Sequence, residues 1–466
     1  MVMIGLEIHV HLISKSKLFC SCSTDYEGRE PNINVCPIDL GFPGSKPQFN
    51  KKILESALMI AKALNCEISP VMFFSRKSYF YPDMPKNFQI SQYEIPLARN
   101  GYLQITNKKI RIRRIQIEED PGKLVHVGGS ITNAQYVLVD YNRSGIPMVE
   151  IVTEPDFETV QEVREFLSKL QSILEHLEVY DPAREASLRV DSNISLEGGA
   201  RVEIKNITGF ANVEKALSYE IVRQQNLLRM GMKVERETRH FDEITKTTTT
   251  LRKKETEEDY GYIFEPDLPQ FTISTQLLQK IEKQMPELPD ARVKRFVEEY
   301  QIPENQSQII VYTDKALADF FESCVKLFDR PKFISRWIVT DLLKVLNWND
   351  LTIRKSKVTP KLFTEFLKAM DEGEITERLG KELIKELVPT GKSIKELIKE
   401  KELDKKIDLE TVVMDVIKEN KKAVEDYKKG NEKAIQFLIG QVLRKTRAVG
   451  DPKKIKNLIE RKLKYY

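Results

Sequence analysis

No stretch of this 466-residue chain stays apolar long enough to span a bilayer, and residues 1–4 run into strand-like sequence without the basic start of a secretory signal. Cysteine is scarce. Five of them, an odd number in so large a chain, fit a reducing, cytoplasmic compartment and argue against a disulfide framework. Neither charge sign dominates: 74 Lys and Arg against 70 Asp and Glu leave a formal charge of +4, which by itself points to neither nucleic acid nor an acidic substrate. Distribution matters more, and the basic excess gathers near the C-terminus. Also missing are two common nucleotide fingerprints, GxxxxGK[ST] and a GxGxxG between strand and helix. Length, by contrast, is ample: about two to four domains and a large core are expected.

What the chain does have is carboxylate inside strand-like sequence. The stretch 110–155 reads IRIRRIQIEEDPGK, breaks at Gly128 and Gly129, and resumes as QYVLVDYNRSGIPMVEIVTEP. A period of two puts Ile115, Ile117 and Glu119 on one face, Gln116 and Glu118 on the other. Arg113-Arg114 interrupts the alternation begun by Ile110 and Ile112, so a bulge is expected there. Further on, Val149 and Ile151 share a face and Glu150 points away from them, between Met148 and Val152. A carboxylate flanked by strand formers is costly to bury unless water, a cation or a metal meets it. Two such strands in one segment predict a site.

Other segments repeat the pattern. In IGLEIHVHL, Glu7, His9 and His11 alternate with Ile4, Leu6, Ile8, Val10 and Leu12. ASLRVDSNISL sets Arg189, Asp191, Asn193 and Ser195 against Leu188, Val190, Ile194 and Leu196; ARVEIKNITGF sets Glu203 and Lys205 against Val202 and Ile204. Alone, each reads as a half-exposed strand with a wet face. Together, five segments carry Glu, Asp, His, Asn, Arg and Lys on the polar face, with almost none of the Thr, Gln and Ser usual toward solvent. Gathered into one antiparallel sheet, these faces would make a concave acidic and basic surface suited to magnesium and phosphate.

Cys20 and Cys22 stand two apart, and Cys36 follows a turn-rich loop. A zinc knuckle would want a fourth ligand near Cys36, and Asp39 occupies the natural place of that thiol. The set fits a Cys-Cys-Cys-Asp zinc site and equally fits plain buried thiols. Cys66 and Cys324 lie in apolar helical patterns and belong to the core. Ile53, Leu54, Ala57, Leu58, Ala61 and Leu64 predict a helix over 51–64, with Asn50 as its N-cap. After it, FFSRKSYFYPDMPKNFQISQYE has no helical period. Its Arg76, Lys77, Tyr79, Tyr81, Lys86 and Tyr93 suit a nucleotide or an RNA end as well as they suit a loop packed on its own rings.

In order along the chain, GLEIHVHL, SKLFCSC, CPIDLGFPGSKP, RKSYFYPDMPKNFQISQYE, IEEDPGK, DYNRSGIPMVEIVTEPD, SLRVDSNIS, EIKNI, ETRHFDE and EPDLP closely resemble the B-subunit (GatB) family of tRNA-dependent aspartyl/glutamyl amidotransferases. The resemblance covers essentially the whole chain. It implies an α+β fold with an antiparallel-sheet cradle as catalytic domain (1–290), an all-helical domain (291–405) and a small helical tail similar to YqeY proteins (406–466). It implies a ligase in which ATP, with Mg2+, phosphorylates the side-chain carboxylate of glutamate or aspartate misacylated onto tRNA(Gln) or tRNA(Asn), after which ammonia displaces the phosphate. The ammonia comes from glutamine hydrolysed by a partner amidase (A) subunit, and a small C subunit completes a heterotrimer.

Position by position, the resemblance implies that Glu7, His9, Glu119 and Glu150 are catalytic and hold magnesium together with Asp191. Hard ligands of this kind hold the cation that offsets repulsion between a carboxylate and a phosphate. Arg189 and Lys205 project from the same polar faces and are expected to bind phosphate. There are two departures. Asp39 stands where zinc-binding members have a last cysteine, so Zn2+ is expected only if that carboxylate completes Cys20, Cys22 and Cys36. Gly261, Ile263 and Phe264 replace a more usual Arg, Phe and Pro.

From about residue 290 the period becomes helical: Val293, Phe296 and Val297, then Leu317, Phe320, Phe321 and Val325, then Phe333, Trp337 and Leu342. KELIKELVPTGKSIKELIKEKELDKK, charged and interrupted by Pro389 and Gly391, reads as a hinge-bearing connector with a solvated middle. The tail carries Lys428, Lys429, Arg444, Lys445, Arg447, Lys453, Lys454 and Lys456 with few acids between, which suits a tRNA backbone. Two other function classes compete. A metal-dependent phosphohydrolase would use the same carboxylates without an aminoacyl-tRNA. A non-catalytic tRNA-binding subunit is disfavoured, because carboxylates repel phosphate.

Overall fold

The computed structural model describes residues 1–128, 134–253, 260–400, 409–428, 431, 433–445 and 452–463. The chain divides into two units, Met1–Pro289 and Asp290–Tyr466. The first runs β1 (Val2–His11), α1 (Lys51–Ala63), β2 (Glu67–Ile68), β3 (Val71–Met72), β4 (Ser75–Ser78), β5 (Phe88–Ser91), β6 (Ala98–Gln104), β7 (Lys109–Glu119), β8 (Lys123–Val127), β9 (Tyr136–Asp140), β10 (Pro147–Thr153), α2 (Val160–His176), β11 (Leu188–Leu196), β12 (Val202–Thr208), α3 (Phe210–Arg229), β13 (Glu237–Asp242), β14 (Thr247–Lys253), β15 (Gly261–Phe264), β16 (Phe271–Thr272) and α4 (Thr275–Gln284).

Nine strands form one sheet in the order β14-β13-β12-β11-β1-β10-β7-β6-β2. Every neighbouring pair is antiparallel except β12 and β13, which run parallel. One face is apolar and carries the helices: α3 packs on β11, β12 and β14, and α2 packs on α1, α3 and β6. Asn50 caps α1 by accepting the Lys52 N–H at 3.0 Å, and Thr159 with Glu162 closes a capping box on α2. Ile4, Leu6, Ile8 and Val10 are sealed in the resulting core. Each such side chain contributes about 1.5–3 kcal/mol relative to exposure. That burial sets the register, since a slip of one residue would drive Glu7 and His9 into the core. The expected bulge is present: the β10–β7 ladder steps from Val152 opposite Arg114 to Thr153 opposite Ile112, leaving Arg113 outside the pairing.

A separate three-stranded sheet, β15-β4-β5, holds the aromatic and basic stretch as strands with a connecting loop. The β8–β9 hairpin follows β7; Gly129 of the expected glycine break lies outside the described residues.

The second unit contains α5 (Pro289–Tyr300), α6 (Glu304–Thr313), α7 (Lys315–Leu327), α8 (Pro331–Trp337), α9 (Leu343–Trp348), α10 (Pro360–Asp371), α11 (Glu377–Thr390) and α12 (Ile394–Glu400), around a core from Val293 to Leu397. Then come α13 (Leu409–Glu419), α14 (Lys421–Lys428), α15 (Lys433–Lys445) and α16 (Pro452–Leu463) around their own core, Val413 to Leu463. The hinge-bearing connector expected near Pro389 needs correction. α11 and α12 bury Leu383, Ile384, Leu387, Val388, Ile394 and Leu397 in the helical core, and Gly391 ends α11 at φ +70°. A charged sequence with an apolar stripe at helical spacing packs that stripe. The expected boundary at 405/406 falls outside the described residues, as do Lys429 and Arg447 and the side chains of Lys453 and Lys454.

Candidate active site

The register of the nine-stranded sheet assembles the polar faces side by side. His9 stands opposite Arg189 on one neighbour and Glu150 on the other, and Glu150 stands opposite Gln116. Glu7 faces Asp191, while Glu203 faces Asn193 and, across the parallel pair, Thr238. All of these side chains except that of Asn193 line a cavity of about 890 Å³. Its other wall is Lys77 of β4, Gln89 of β5, Tyr79 and Tyr93 after those strands, and Tyr260 and Tyr262 at β15. Tyr93 and Tyr262 stack at 4.0 Å, and Lys77 Nζ sits 4.7 Å from the Tyr260 ring centre.

Two groups of ligand-bearing side chains converge. His9, Glu118 and Glu150 bring donor atoms within 4.8 Å of one another, and so do Glu7, Asp191 and Glu203. In the first group His9 Nε2 is 3.5 Å from Glu118 Oε1. The Gln116 amide donates to Glu150 Oε2 at 2.6 Å, and the Ser91 hydroxyl donates to Glu118 Oε2 at 3.1 Å. In the second, Asn193 donates to Glu7 Oε1 at 3.0 Å and Thr238 to Glu203 Oε2 at 3.1 Å. Lys205 Nζ lies 3.8 Å from both Asp191 and Glu203. Burial raises the Glu118 pKa and Glu150 adds to it; burial followed by Glu150, Asp191 and Glu203 raises that of Glu7. Buried carboxylates whose orientation is set by amides and hydroxyls, and whose charge is only partly compensated, fit hard divalent cations.

Glu119, expected among the magnesium ligands, is elsewhere. Its carboxylate is on the other face of β7, where it pairs with Lys86 and accepts the Ile90 N–H at 2.9 Å. Glu118 takes the place in the cavity, which is the face that strict alternation with Gln116 assigns it. Asp191 joins Glu7 and Glu203 rather than His9 and Glu150. Arg189 and Lys205 do line the cavity, but both already meet carboxylates. Arg189 Nη2 donates to Asp120 Oδ1 at 2.6 Å. Asp120, fully buried, also holds His11 Nε2 at 2.7 Å and Arg143 Nε at 3.2 Å. Burial alone would raise its carboxyl; Arg189, Arg143 and His11 outweigh that and hold it well below the usual carboxylate range. Residue-level reading did not include Glu118 and Glu203 among the candidate ligands, although both stood on the polar faces, nor Asp120, whose position one past a strand end carries no periodic signal.

Of the aromatic and basic stretch, Lys77, Tyr79 and Tyr93 reach the cavity, whereas Arg76 is bound by Glu265 and Lys86 by Glu119. Tyr81 is exposed. The departures in β15 fall away from the site: Ile263 and Phe264 are exposed and Gly261 pairs with Ser78, while Tyr260 and Tyr262 face inward.

Cys20, Cys22, Cys36 and Asp39 also gather, with ligand atoms within 4.8 Å. Asp39 Oδ1 lies 3.3 Å from Cys20 Sγ, and its Oδ2 accepts from the Cys36 N–H at 3.1 Å and from Lys17 Nζ at 3.2 Å. Lys17 is wholly buried and also donates to the Asn34 carbonyl at 2.8 Å. Burial, with Asp39 beside it, pushes the Cys22 thiol up to about 11, so without a cation this thiol is protonated. Three sulfurs and one oriented carboxylate oxygen match the number and spacing of a tetrahedral zinc site. Cys66 and Cys324 stand apart from it as packing residues.

Among the described residues no helix is long and apolar enough to cross a membrane. Residues 2–279 match the GatB/GatE catalytic domain, and residues 319–463 match the GatB domain. Relatives named as the B subunit of aspartyl/glutamyl-tRNA(Asn/Gln) amidotransferase align over nearly their full length. That of Sulfolobus acidocaldarius is 48% identical, covering 99% of this chain and 100% of the relative. That of Saccharolobus solfataricus is 45% identical over 99% of each. That of Thermotoga petrophila is 46% identical over 99% of this chain and 98% of the relative. A sheet with its catalytic-type residues on one face, the domain matches and full-length identity of this size agree, and the chain belongs to the GatB family of amidotransferase B subunits.

Proposed function

We propose that this chain is the kinase and transamidase component of a glutamine-hydrolysing aspartyl/glutamyl-tRNA amidotransferase. Its reaction converts the side-chain carboxylate of Glu-tRNA(Gln) or Asp-tRNA(Asn) to the amide. The carrying observation is the pair of acidic groups, His9–Glu118–Glu150 and Glu7–Asp191–Glu203, on one face of the cavity. A carboxylate oxygen of the substrate attacks the γ-phosphorus of ATP, and the bond to the ADP oxygen breaks. Ammonia then attacks the carbonyl carbon of the mixed anhydride, phosphate leaves with the carbon–oxygen electron pair, and the surplus proton passes to solvent.

Both reactants of the first step are anions, so catalysis is mainly positioning and charge compensation. Mg2+ held by the two groups would neutralise the phosphoryl oxygens. Gln116, Ser91, Asn193 and Thr238 keep those carboxylates oriented. Asp120 holds the guanidinium of Arg189, whose backbone stands opposite His9, and Tyr79, Tyr93, Tyr260 and Tyr262 narrow access of water. The ammonia comes from a partner amidase (A) subunit, joined with a small C subunit in a cytoplasmic heterotrimer. The basic tail contributes to tRNA binding, and the Cys20–Cys22–Cys36–Asp39 group holds a structural zinc.

The test is reconstitution with the amidase and the small subunit. ATP- and glutamine-dependent formation of Gln-tRNA(Gln) or Asn-tRNA(Asn), with ADP release, is expected. Phosphate release that ignores aminoacyl-tRNA would favour a phosphohydrolase instead.

A further inference from the structure

Of the seven lysines and arginines that line the cavity, three are committed to carboxylates. Arg189 is tied to Asp120, Lys205 lies between Asp191 and Glu203, and Arg113 pairs with Glu154 at 2.8 Å. Of the others, Lys77 lies over the Tyr260 ring and Arg114 keeps its Nε buried, whereas Arg201 and Arg236 are solvent-exposed. Both line the cavity, and among the described residues neither has a carboxylate partner. Arg201 immediately precedes β12 and Arg236 immediately precedes β13, and these strands run parallel with Val202 opposite Glu237. The two arginines therefore leave the sheet from neighbouring positions, about 4.8 Å apart across the ladder. By alternation they share the face of Glu203 and Thr238.

We propose that Arg201 and Arg236 form a clamp for the polyphosphate chain of the nucleoside triphosphate. The nucleotide's divalent cation would rest on the adjacent Glu7–Asp191–Glu203 group. This rests on the amide-forming function proposed above and moves phosphate binding from Arg189 and Lys205 to an exposed pair that has no carboxylate partner among the described residues. A bare phosphodiester of RNA would meet three clustered carboxylates here and be repelled. A triphosphate arrives with a metal ion that those carboxylates can ligate, while its outer oxygens suit planar guanidinium forks. The cavity then has two ends: triphosphate beside Glu203, and the substrate carboxylate beside His9, Glu118 and Arg189.

The test uses the assembled enzyme carrying Arg201→Gln, Arg236→Gln or both, with thermal unfolding to verify folding. Loss of a charge-assisted contact predicts a KM for ATP raised about tenfold by each and more by the pair, with the KM for misacylated tRNA within about twofold. Should a glutamine variant unfold, Arg201→Lys and Arg236→Lys, which keep charge and lose the fork, are expected to raise the KM for ATP by a smaller factor. A wild-type enzyme that forms no amide would overturn the underlying function and the clamp with it. An active wild type whose variants keep the KM for ATP, or raise only that for tRNA, would overturn the clamp alone.

Discussion

Glu118 and Glu119 are consecutive in β7, yet their carboxylates lie on opposite faces of the sheet: Glu118 Oε1 is 3.5 Å from His9 Nε2, whereas Glu119 accepts the Ile90 N–H at 2.9 Å and pairs with Lys86. Neighbouring residues with the same side chain have been given separate tasks. One faces the cavity; the other fastens β5 and its loop to the sheet.

That separation is testable by substituting each in turn. Glu118→Gln should lower ATP-dependent amide formation by about 10²-fold or more, since a metal site supplies several kcal/mol of charge stabilisation. Its unfolding free energy should change little. Glu119→Gln strands a buried Lys86, so denaturant unfolding should show a loss of about 3 kcal/mol or more. Inactivity of a fully stable Glu119→Gln, beside an active Glu118→Gln, would reverse the assignment.

Acidity offers a second check. Burial and neighbouring carboxylates raise the pKa values of Glu7 and Glu118. Between the unfolded and folded values the metal-free native state therefore binds more protons than the unfolded chain. This contribution to stability is fully present below the unfolded value of about 4.3 and declines as pH rises through the raised native values. Mg2+ needs the deprotonated forms and should reverse the trend. In thermal melts with chelator, the midpoint should fall toward alkaline pH, and added Mg2+ should raise it more at pH 8 than at pH 5. An equal rise at both would contradict the sites.

Zinc analysis addresses the cysteine group. About one zinc per chain is expected, lost on Cys36→Ser. Lys17 orients Asp39 from its buried position, so Lys17→Met should weaken zinc retention against a chelator by roughly 10–100-fold. Metal-free, fully folded wild-type protein would show the thiols to be packing residues.

The tail prediction depends on where the chain is cut. α13 shares a core with α15 and α16 through Val413, Val416 and Ile417. Truncation after Lys421 would leave those side chains bare, whereas a chain ending at Glu400 removes the whole bundle. That shorter chain should show a higher KM for misacylated tRNA and a flatter dependence on salt, because phosphate contacts release counterions. Turnover at saturating tRNA should fall much less. Unchanged tRNA affinity at every salt concentration would leave the tail a purely structural role.

Within single segments, residue order alone determined a good deal. The alternation of IGLEIHVHL, RIQIEE and PMVEIV placed Glu7, His9, Glu118 and Glu150 on polar faces, because side-chain direction in a strand is local geometry. The break in alternation at Arg113-Arg114 located the bulge, and the apolar spacing of 51–64 located α1 with its Asn50 cap. Tertiary structure alone decided which faces meet. Strand order sets β1 between β10 and β11, so that His9 joins Glu150 and Glu7 joins Asp191; no local period encodes that choice. It also chose Glu118 over Glu119, since only one face of β7 opens on the cavity and the other is closed by Lys86. The same holds for Lys17 and Asp120. Each is a charge in sequence that resembles any surface charge, and each is tolerated in the interior only because partners from distant segments arrive to meet it.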